Sequence, residues 1–394
     1  MKIISLGRIN IKFLIPILGG IIRLIYKYII VLNDKYEALT INPFLLSIYT
    51  YIGMILAFIP YLIRNYRSKK SYINPDIFPN ESKLNIKLIF HNDIFKKTRF
   101  NKYKYIVIAS IFDFISTLLS YVFCMNVVYN LWIFDIIFIS IFSYFILGSK
   151  FYRHQYLSMI IILVLGFILN IIEYIKLDES ENSFSLIDVF IKFLTEIFFC
   201  LTIVIIKYNL EKNYSSPYEL CIWEGAIGLI LHIICLVIIN SLELTIGGNE
   251  YPKNIKYYFD NYNINDFIES LIVIITGFVF NISLMLTCNY FTPAHVLITS
   301  IIKEYHYYLQ KGEYTALNII GFLILVIILF AFLIFVEIIE INIFNISFNT
   351  KKNIERRSRL DSYLDINNIG LNDEKILEDD DSLNSTFSTN NKNV

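Results

Sequence analysis

The sequence predicts an all-α integral membrane protein: ten transmembrane helices in a 5+5 inverted repeat, with both termini cytoplasmic. Three observations predict it. Ten apolar stretches of about bilayer length follow one another, the composition is 56% hydrophobic with only 17% charged residues, and the loop charges alternate along the chain. A spanning helix needs roughly 20 predominantly apolar residues, because lipid offers no partner to an unpaired peptide group. A water-soluble chain of this length would divide into two or three domains and carry more charge.

The first stretch, Phe13 to Val31, lacks a small-residue cleavage site and is followed at once by the second, Pro43 to Ile63. It is therefore expected to be retained as a signal anchor. The loop from Arg64 to Lys104 carries eleven Lys or Arg against three Asp or Glu, which the positive-inside rule places in the cytoplasm. Within it, the apolar spacing from Leu84 to Lys97 fits either a short helix lying on the membrane surface or a solvated linker.

The third and fourth stretches are Tyr105 to Val127 and Leu131 to Leu147, and the turn after them carries Lys150 and Arg153 on the inner side. The fifth, Tyr156 to Ile175, runs out to an acidic segment with Asp178, Glu179 and Glu181. The sixth, Val189 to Ile206, returns to Lys207 and Lys212, and the seventh, Cys221 to Ile239, leads to the net acidic loop Glu243 to Asp266 outside. The eighth to tenth, Leu271 to Cys288, Pro293 to Leu309 and Leu317 to Val336, end before Lys351, Lys352, Arg356, Arg357 and Arg359, again inside. Asn-x-Ser/Thr motifs at Asn80, Asn213, Asn281, Asn345 and Asn384 all fall in cytoplasm or membrane in this topology, so none is expected to be glycosylated.

Five stretches precede the acidic connector and five follow it, so the halves insert with opposite orientation, as in many secondary transporters. The expected organisation is a cytoplasmic N-terminus (1–12), a first five-helix repeat (13–175) containing the basic loop (64–104), an acidic connector (176–188), a second repeat (189–340) and a disordered cytoplasmic tail (341–394).

Ionisable groups at bilayer depth are costly, which makes them functional candidates. Asp113 lies eight residues into the third stretch, roughly 12 Å deep at 1.5 Å per residue. Ser116, Thr117 and Ser120 follow on the same side, forming a polar stripe that fits either a cavity wall or interhelical hydroxyl bonding. Lys303 and Glu304 lie near the middle of the ninth stretch. Arg23 and Lys27 share a face of the first, with Lys27 near enough to the end to snorkel. Trp223, Glu224 and Gly225 open the seventh, where Glu224 is shallow enough to sit at a solvated helix end; Asp135, Glu196, Asn170, Glu173 and Asn281 complete the polar set.

The cysteines, five in all, fall inside apolar stretches without a CxxC pair and read as small buried hydrophobes. The five histidines are dispersed, and the sequence contains no GxxxxGK[ST], GxGxxG or HExxH motif. No catalytic residue, metal site or cofactor is expected, and ATP-driven pumping is not indicated. A net charge of zero points to no nucleic-acid partner.

Ala109-Ser-Ile-Phe-Asp113 with Thr117, Lys207-Tyr208 leading to Pro217 and Trp223-Glu224-Gly225, and Gly321 to Leu325 resemble segments of the drug/metabolite transporter superfamily. Within it, they are most similar to the F-type branch of the nucleotide-sugar-transporter-like solute carriers, related to the chloroquine-resistance transporters. The resemblance runs from about Pro16 to Glu340. It implies a 5+5 fold with a central cavity and alternating access, a small polar or anionic solute of which a nucleotide-sugar-like molecule is one candidate, and an endomembrane location such as Golgi, vacuole or lysosome. By position, Lys27 resembles the basic residue ending the first family helix, Asp113 the family Asp, and Glu224-Gly225 the Glu-Gly pair. The substrate-binding set expected from residues and resemblance is Arg23, Lys27, Asp113, Thr117, Glu224, Asn281 and Lys303. Expected partners are the lipid bilayer and a small-molecule substrate, with a homodimer left open. The competing reading is a non-transporting scaffold or receptor that keeps the transporter fold.

Overall fold

The computed structural model describes residues 4–6, 11–34, 43–64, 93–122, 131–176, 186–241, 264–302 and 316–341. Apart from one short β-ladder the described chain is helical, as lipid demands of a spanning segment whose peptide groups must bond internally. Helix α1 covers Leu14–Asp34, and α2 starts at Pro43–Ile55, turns at Leu56 and Ala57, and resumes to Arg64. The rest are α3 (Asp93–Val122), α4 (Leu131–Leu147), α5 (Arg153–Lys176), α6 (Leu186–Lys212), α7 (Pro217–Ser241), α8 (Ile264–Tyr290), α9 (Pro293–Ile302) and α10 (Ala316–Phe335). Among the described residues, seven helices are long and apolar enough to cross a membrane, and three shorter apolar ones accompany them. This is a multi-pass membrane protein.

Helix α3 is longer than its apolar stretch. It begins at Asp93 and runs through Lys96, Lys97, Arg99, Lys102 and Lys104 before entering the apolar part. The Leu84 to Lys97 segment, which fits either a surface helix or a solvated linker, has its last residues, from Asp93, in the first turns of α3, while 84–92 lie outside the described residues. The tail beyond 341 and the segment 177–185 lie outside them as well.

Large apolar side chains point outward on most spans. Phe145, Phe167, Phe190 and Ile187 are each more than 60% exposed, and Ile160, Val164, Ile230 and Leu323 lie on the same outer surface. A soluble protein rarely carries so continuous an apolar surface, whereas lipid tails cover it at no cost. Inside, α6 provides much of the core through Cys200, Ile203, Val204 and Ile206, joined by Leu169, Met285, Leu325 and Ile328.

The helices pack in definite pairs: α1 on α8, α6 on α3, α2 on both α8 and α7, α3 on α7, and α5 on α10. Glycines allow the closest approaches. A Cβ at Gly53 would collide with the Ile274 carbonyl and lie 2.9 Å from the Phe278 nitrogen, so α2 and α8 touch backbone to backbone. At Gly225 a Cβ would lie 2.7 Å from that of Met54, which fixes α7 against α2 in the same way. Helices α4 and α9 both open on a 3₁₀ turn, Leu131–Phe134 and Pro293–Val296, and α4 closes on a π turn ending at Gly148 with φ 68°.

Strand β1 (Ile4–Leu6) pairs antiparallel with β2 (Ile339–Ile341), setting Ile4 opposite Ile341 and Leu6 opposite Ile339. The segments before α1 and after α10 therefore meet in one ladder. Beside it, His154 Nε2 lies 3.2 Å from Glu337 Oε1, and the Gln155 amide donates to the Phe335 carbonyl at 3.3 Å, joining the start of α5 to the end of α10.

Candidate functional site: a polar cluster among α2, α3 and α7

Helix α3 presents Asp113 and, one turn on, Thr117 to α2, where the Tyr51 hydroxyl donates to Asp113 Oδ2 at 2.7 Å. The Thr117 hydroxyl lies 3.3 Å from the same phenol oxygen. Tyr51 is 1% exposed, so its hydroxyl has left water for this pairing. A hydrogen bond to a charged or chargeable group in such surroundings is among the stronger ones a protein makes.

The tyrosine reaches Asp113 because α7 makes room. A Cβ at Gly228 would strike the Tyr51 ring, so glycine there lets the ring approach α7 closely. One turn later His232 packs on that ring with centroids 4.8 Å apart and meets Phe114 edge-on at 4.7 Å. Its Nδ1 is 3.1 Å from the Gly228 carbonyl, an atom that can only accept, so Nδ1 is the donor in this contact. The Cys221 thiol faces the Met54 carbonyl at 3.6 Å, closing the α2–α7 seam.

Glu224 completes the cluster. It is 4% exposed, which removes the solvated-end reading, and it lies within electrostatic range of Asp113, Tyr51 and Cys221. Two buried carboxyl groups thus lie within electrostatic range of each other, one of them bonded to the Tyr51 phenol, whose ring packs on the His232 imidazole. Such a set can take up a proton, or exchange its internal bonds for those of a polar solute.

A second set lies among α1, α4 and α6. Asp135, 1% exposed, feels the charges of Glu196, Lys192 and Arg23, and Lys192 pairs with Glu196 at 2.9 Å. The Arg23 guanidinium stacks over Phe280 of α8 at 5.1 Å. Lys207 makes a third, structural arrangement: its Nζ donates to the Cys288 carbonyl in the last turn of α8 at 2.8 Å and lies 3.1 Å from Glu211. A cation at a helix C-terminus satisfies carbonyls the helix cannot.

Of the expected site residues, Asp113, Thr117 and Glu224 come together, and Arg23 belongs to the second set. The Asn281 amide donates to the Gly277 carbonyl one turn back at 2.9 Å, a bond within α8. Lys303 lies outside the described residues, as does the side chain of Lys27 on α1. The polar stripe of α3 divides, since Ser116 donates to the Thr195 carbonyl of α6 at 3.1 Å and acts as interhelical glue. Tyr51 and His232 were not among the expected residues. With 29 tyrosines in the chain a single one carries no signal, although glycine four residues before a membrane histidine is a usable one. Among the described residues no group of three or more His, Cys, Asp or Glu could hold a metal ion, and Cys200, Cys221, Cys235 and Cys288 are free. No protein-family model matches the chain, and no curated protein matches it.

Proposed function

We propose that the chain is a secondary transporter that moves a small polar or anionic metabolite by alternating access. The observation that carries the proposal is the position of the polar cluster. Tyr51, Asp113 and Thr117 come from the first five helices and Glu224 and His232 from the second five, so the cluster lies on the seam between the halves. Transporters built from inverted repeats bind their solutes at that seam, near the bilayer midplane.

Two further observations support ten helices in a 5+5 repeat. Exchanging each helix of the first five for its counterpart in the second turns the α1–α8 contact into α6–α3 and α2–α8 into α7–α3, and returns α2–α7 and α5–α10 to themselves. Both members of the α4/α9 pair open on a 3₁₀ turn. The β1–β2 ladder supports an even number of crossings, because strands that pair lie on one side of the membrane. Seven long spans plus three shorter ones meet that condition. The basic loop 64–104 supports the cytoplasm as that side. An internal membrane and kinship with the nucleotide-sugar-transporter-like carriers belong to the proposal through the resemblance of Asp113, Thr117 and Trp223-Glu224-Gly225 alone.

The test is counterflow in proteoliposomes loaded with a broad metabolite panel. Uptake of at least one solute, lost in Asp113→Asn protein that still inserts and purifies as a single species, is the expected outcome. Vesicles that move nothing from the panel would favour a scaffold with a transporter fold.

A further inference from the structure

Five cations stand at helix ends on the side that carries the basic loop. Arg64 closes α2, Lys104 opens the apolar part of α3, Lys150 and Arg153 lie where α4 turns into α5, and Lys212 ends α6. All five are exposed, and none is paired with a carboxylate among the described residues. Of the acidic groups at the same ends, Glu211 faces Lys207 at 3.1 Å, Glu337 faces His154 at 3.2 Å, and Glu219 is half-buried in the first turn of α7. Lys96, Lys97, Arg99 and Lys102 continue the series along the first turns of α3, where Asp93 is the acidic residue at helical spacing and reaches Lys96 and Lys97 alone. Like charges three residues apart, as in Lys96 with Arg99 and Arg99 with Lys102, repel one another, and the positive end of the helix dipole adds to that repulsion. An anionic neighbour outside the chain would offset both.

The cations share their level with amphipathic rings. Tyr103, beside Lys104, meets Trp223 of α7 edge-on with centroids 5.8 Å apart, and Trp223 is 42% exposed. Tyr144 in the last turn of α4, Tyr156 in the first turn of α5 and Tyr214 between α6 and α7 are exposed as well. Rings with an apolar body and a polar tip settle at the headgroup level of a bilayer. Lysine and arginine near that level lay their stems on apolar surface and hold their charge among the headgroups. Phe145 and Ile160, both on the outer surface, lie next to these rings and offer the surface that acyl chains cover.

We infer that this collar of cations binds acidic phospholipids of the leaflet it faces, their headgroups on Arg64, Lys104, Lys150, Arg153 and Lys212 and their chains on the apolar surface beneath. Two features favour a lipid over a soluble anion. The cations are spread over separate helix ends rather than gathered in one pocket, and exposed aromatic and apolar side chains accompany them, a combination that an amphiphile with an anionic head matches. A phosphatidylcholine headgroup brings its own ammonium beside its phosphate and leaves the collar's charge uncompensated, whereas a headgroup of net negative charge offsets it. The inference requires a chain that spans a membrane and is independent of transport.

The test uses the chain's two tryptophans. Trp223 lies at the collar, whereas Trp132 is 7% exposed and opens α4 at the end away from Lys150, so Trp132→Phe leaves one reporter in place. Full-length protein is reconstituted in phosphatidylcholine vesicles that hold a fixed fraction of either brominated phosphatidylserine or brominated phosphatidylcholine, and quenching of Trp223 fluorescence is measured. Brominated phosphatidylserine is expected to associate about fivefold or more tightly than brominated phosphatidylcholine, with a preference that falls as ionic strength rises. Arg64→Gln, Lys104→Gln, Lys150→Gln, Arg153→Gln and Lys212→Gln combined should remove most of that preference. The comparison of the two lipids in the natural sequence stands even if a variant does not fold, because buried Trp132 adds a background common to both. Equal quenching by the two lipids, which is what cations that serve only to orient the chain during insertion would give, would overturn the inference. So would a full preference in the combined Gln variant. Inorganic phosphate that abolishes the preference where sodium chloride of matched ionic strength does not would make a soluble anion the occupant and overturn it as well.

Discussion

The Tyr51 hydroxyl donates to Asp113 Oδ2 at 2.7 Å, tying α2 to α3 through a buried polar bond. Removing it should cost more than removing a typical surface bond, because the carboxyl keeps its burial and loses its donor. Tyr51→Phe is expected to destabilise the protein by about 1.5–3 kcal/mol and to abolish uptake. A double-mutant cycle with Asp113→Asn should return a coupling energy of about 1 kcal/mol or more. Additive losses in detergent unfolding would show the two side chains to be independent.

Gly228 is held to glycine by the Tyr51 ring above it. Gly228→Ala should overpack the α2–α7 seam by about 1–3 kcal/mol, tilt the ring and weaken the bond to Asp113. Its transport defect is expected to match that of Tyr51→Phe. Full activity in Gly228→Ala, at any stability, would mean that ring position and transport are unconnected.

Lys207 serves the frame rather than the solute. Its amine caps the last turn of α8 at the Cys288 carbonyl, and Lys207→Met should cost about 1–3 kcal/mol by stranding that oxygen. Thermal unfolding should fall while the order of solute preference stays unchanged; a changed preference would move Lys207 into the solute path.

The ladder sets Ser5 opposite Glu340. Opposed residues in an antiparallel pair have Cα atoms about 4.5–5.5 Å apart, within disulfide reach. Ser5→Cys with Glu340→Cys is expected to cross-link under mild oxidation, giving a shifted band on a non-reducing gel after cleavage in the 64–104 loop. Without the cross-link, the even number of crossings loses its direct support.

The apolar stretches were legible because lipid imposes a length on a span: among the described residues seven recur as helices long enough to cross a membrane and three as shorter apolar helices, the ninth described only to Ile302. Helix ends were less so. Hydropathy sees only the part of a helix inside the bilayer, so the charged first turns of α3, from Asp93 to Lys104, read as loop. Helix partners were not legible at all, since core-facing Ile203 and outward-facing Ile230 are chemically the same residue and lipid erases the contrast that marks a core in water. The site was half legible. Asp113, Thr117 and Glu224 stand out as polar in an apolar context, whereas Tyr51 and His232 act through position on α2 and α7, which only the packing reveals. Asn281 stood out equally and is bonded within its own helix.

The most direct test of a solute path through the Asp113 cluster is the accessibility of Thr117, which lies 3.3 Å from the Tyr51 hydroxyl. Thr117→Cys, in protein whose five native cysteines are replaced by serine or alanine, would be exposed to a membrane-impermeant maleimide from either face of sealed vesicles. Alternating access predicts labelling from both faces, with transported solute slowing both rates. A thiol that reacts from neither face, in protein that inserts and folds, would contradict the account and leave Tyr51, Asp113 and Thr117 as a packing contact.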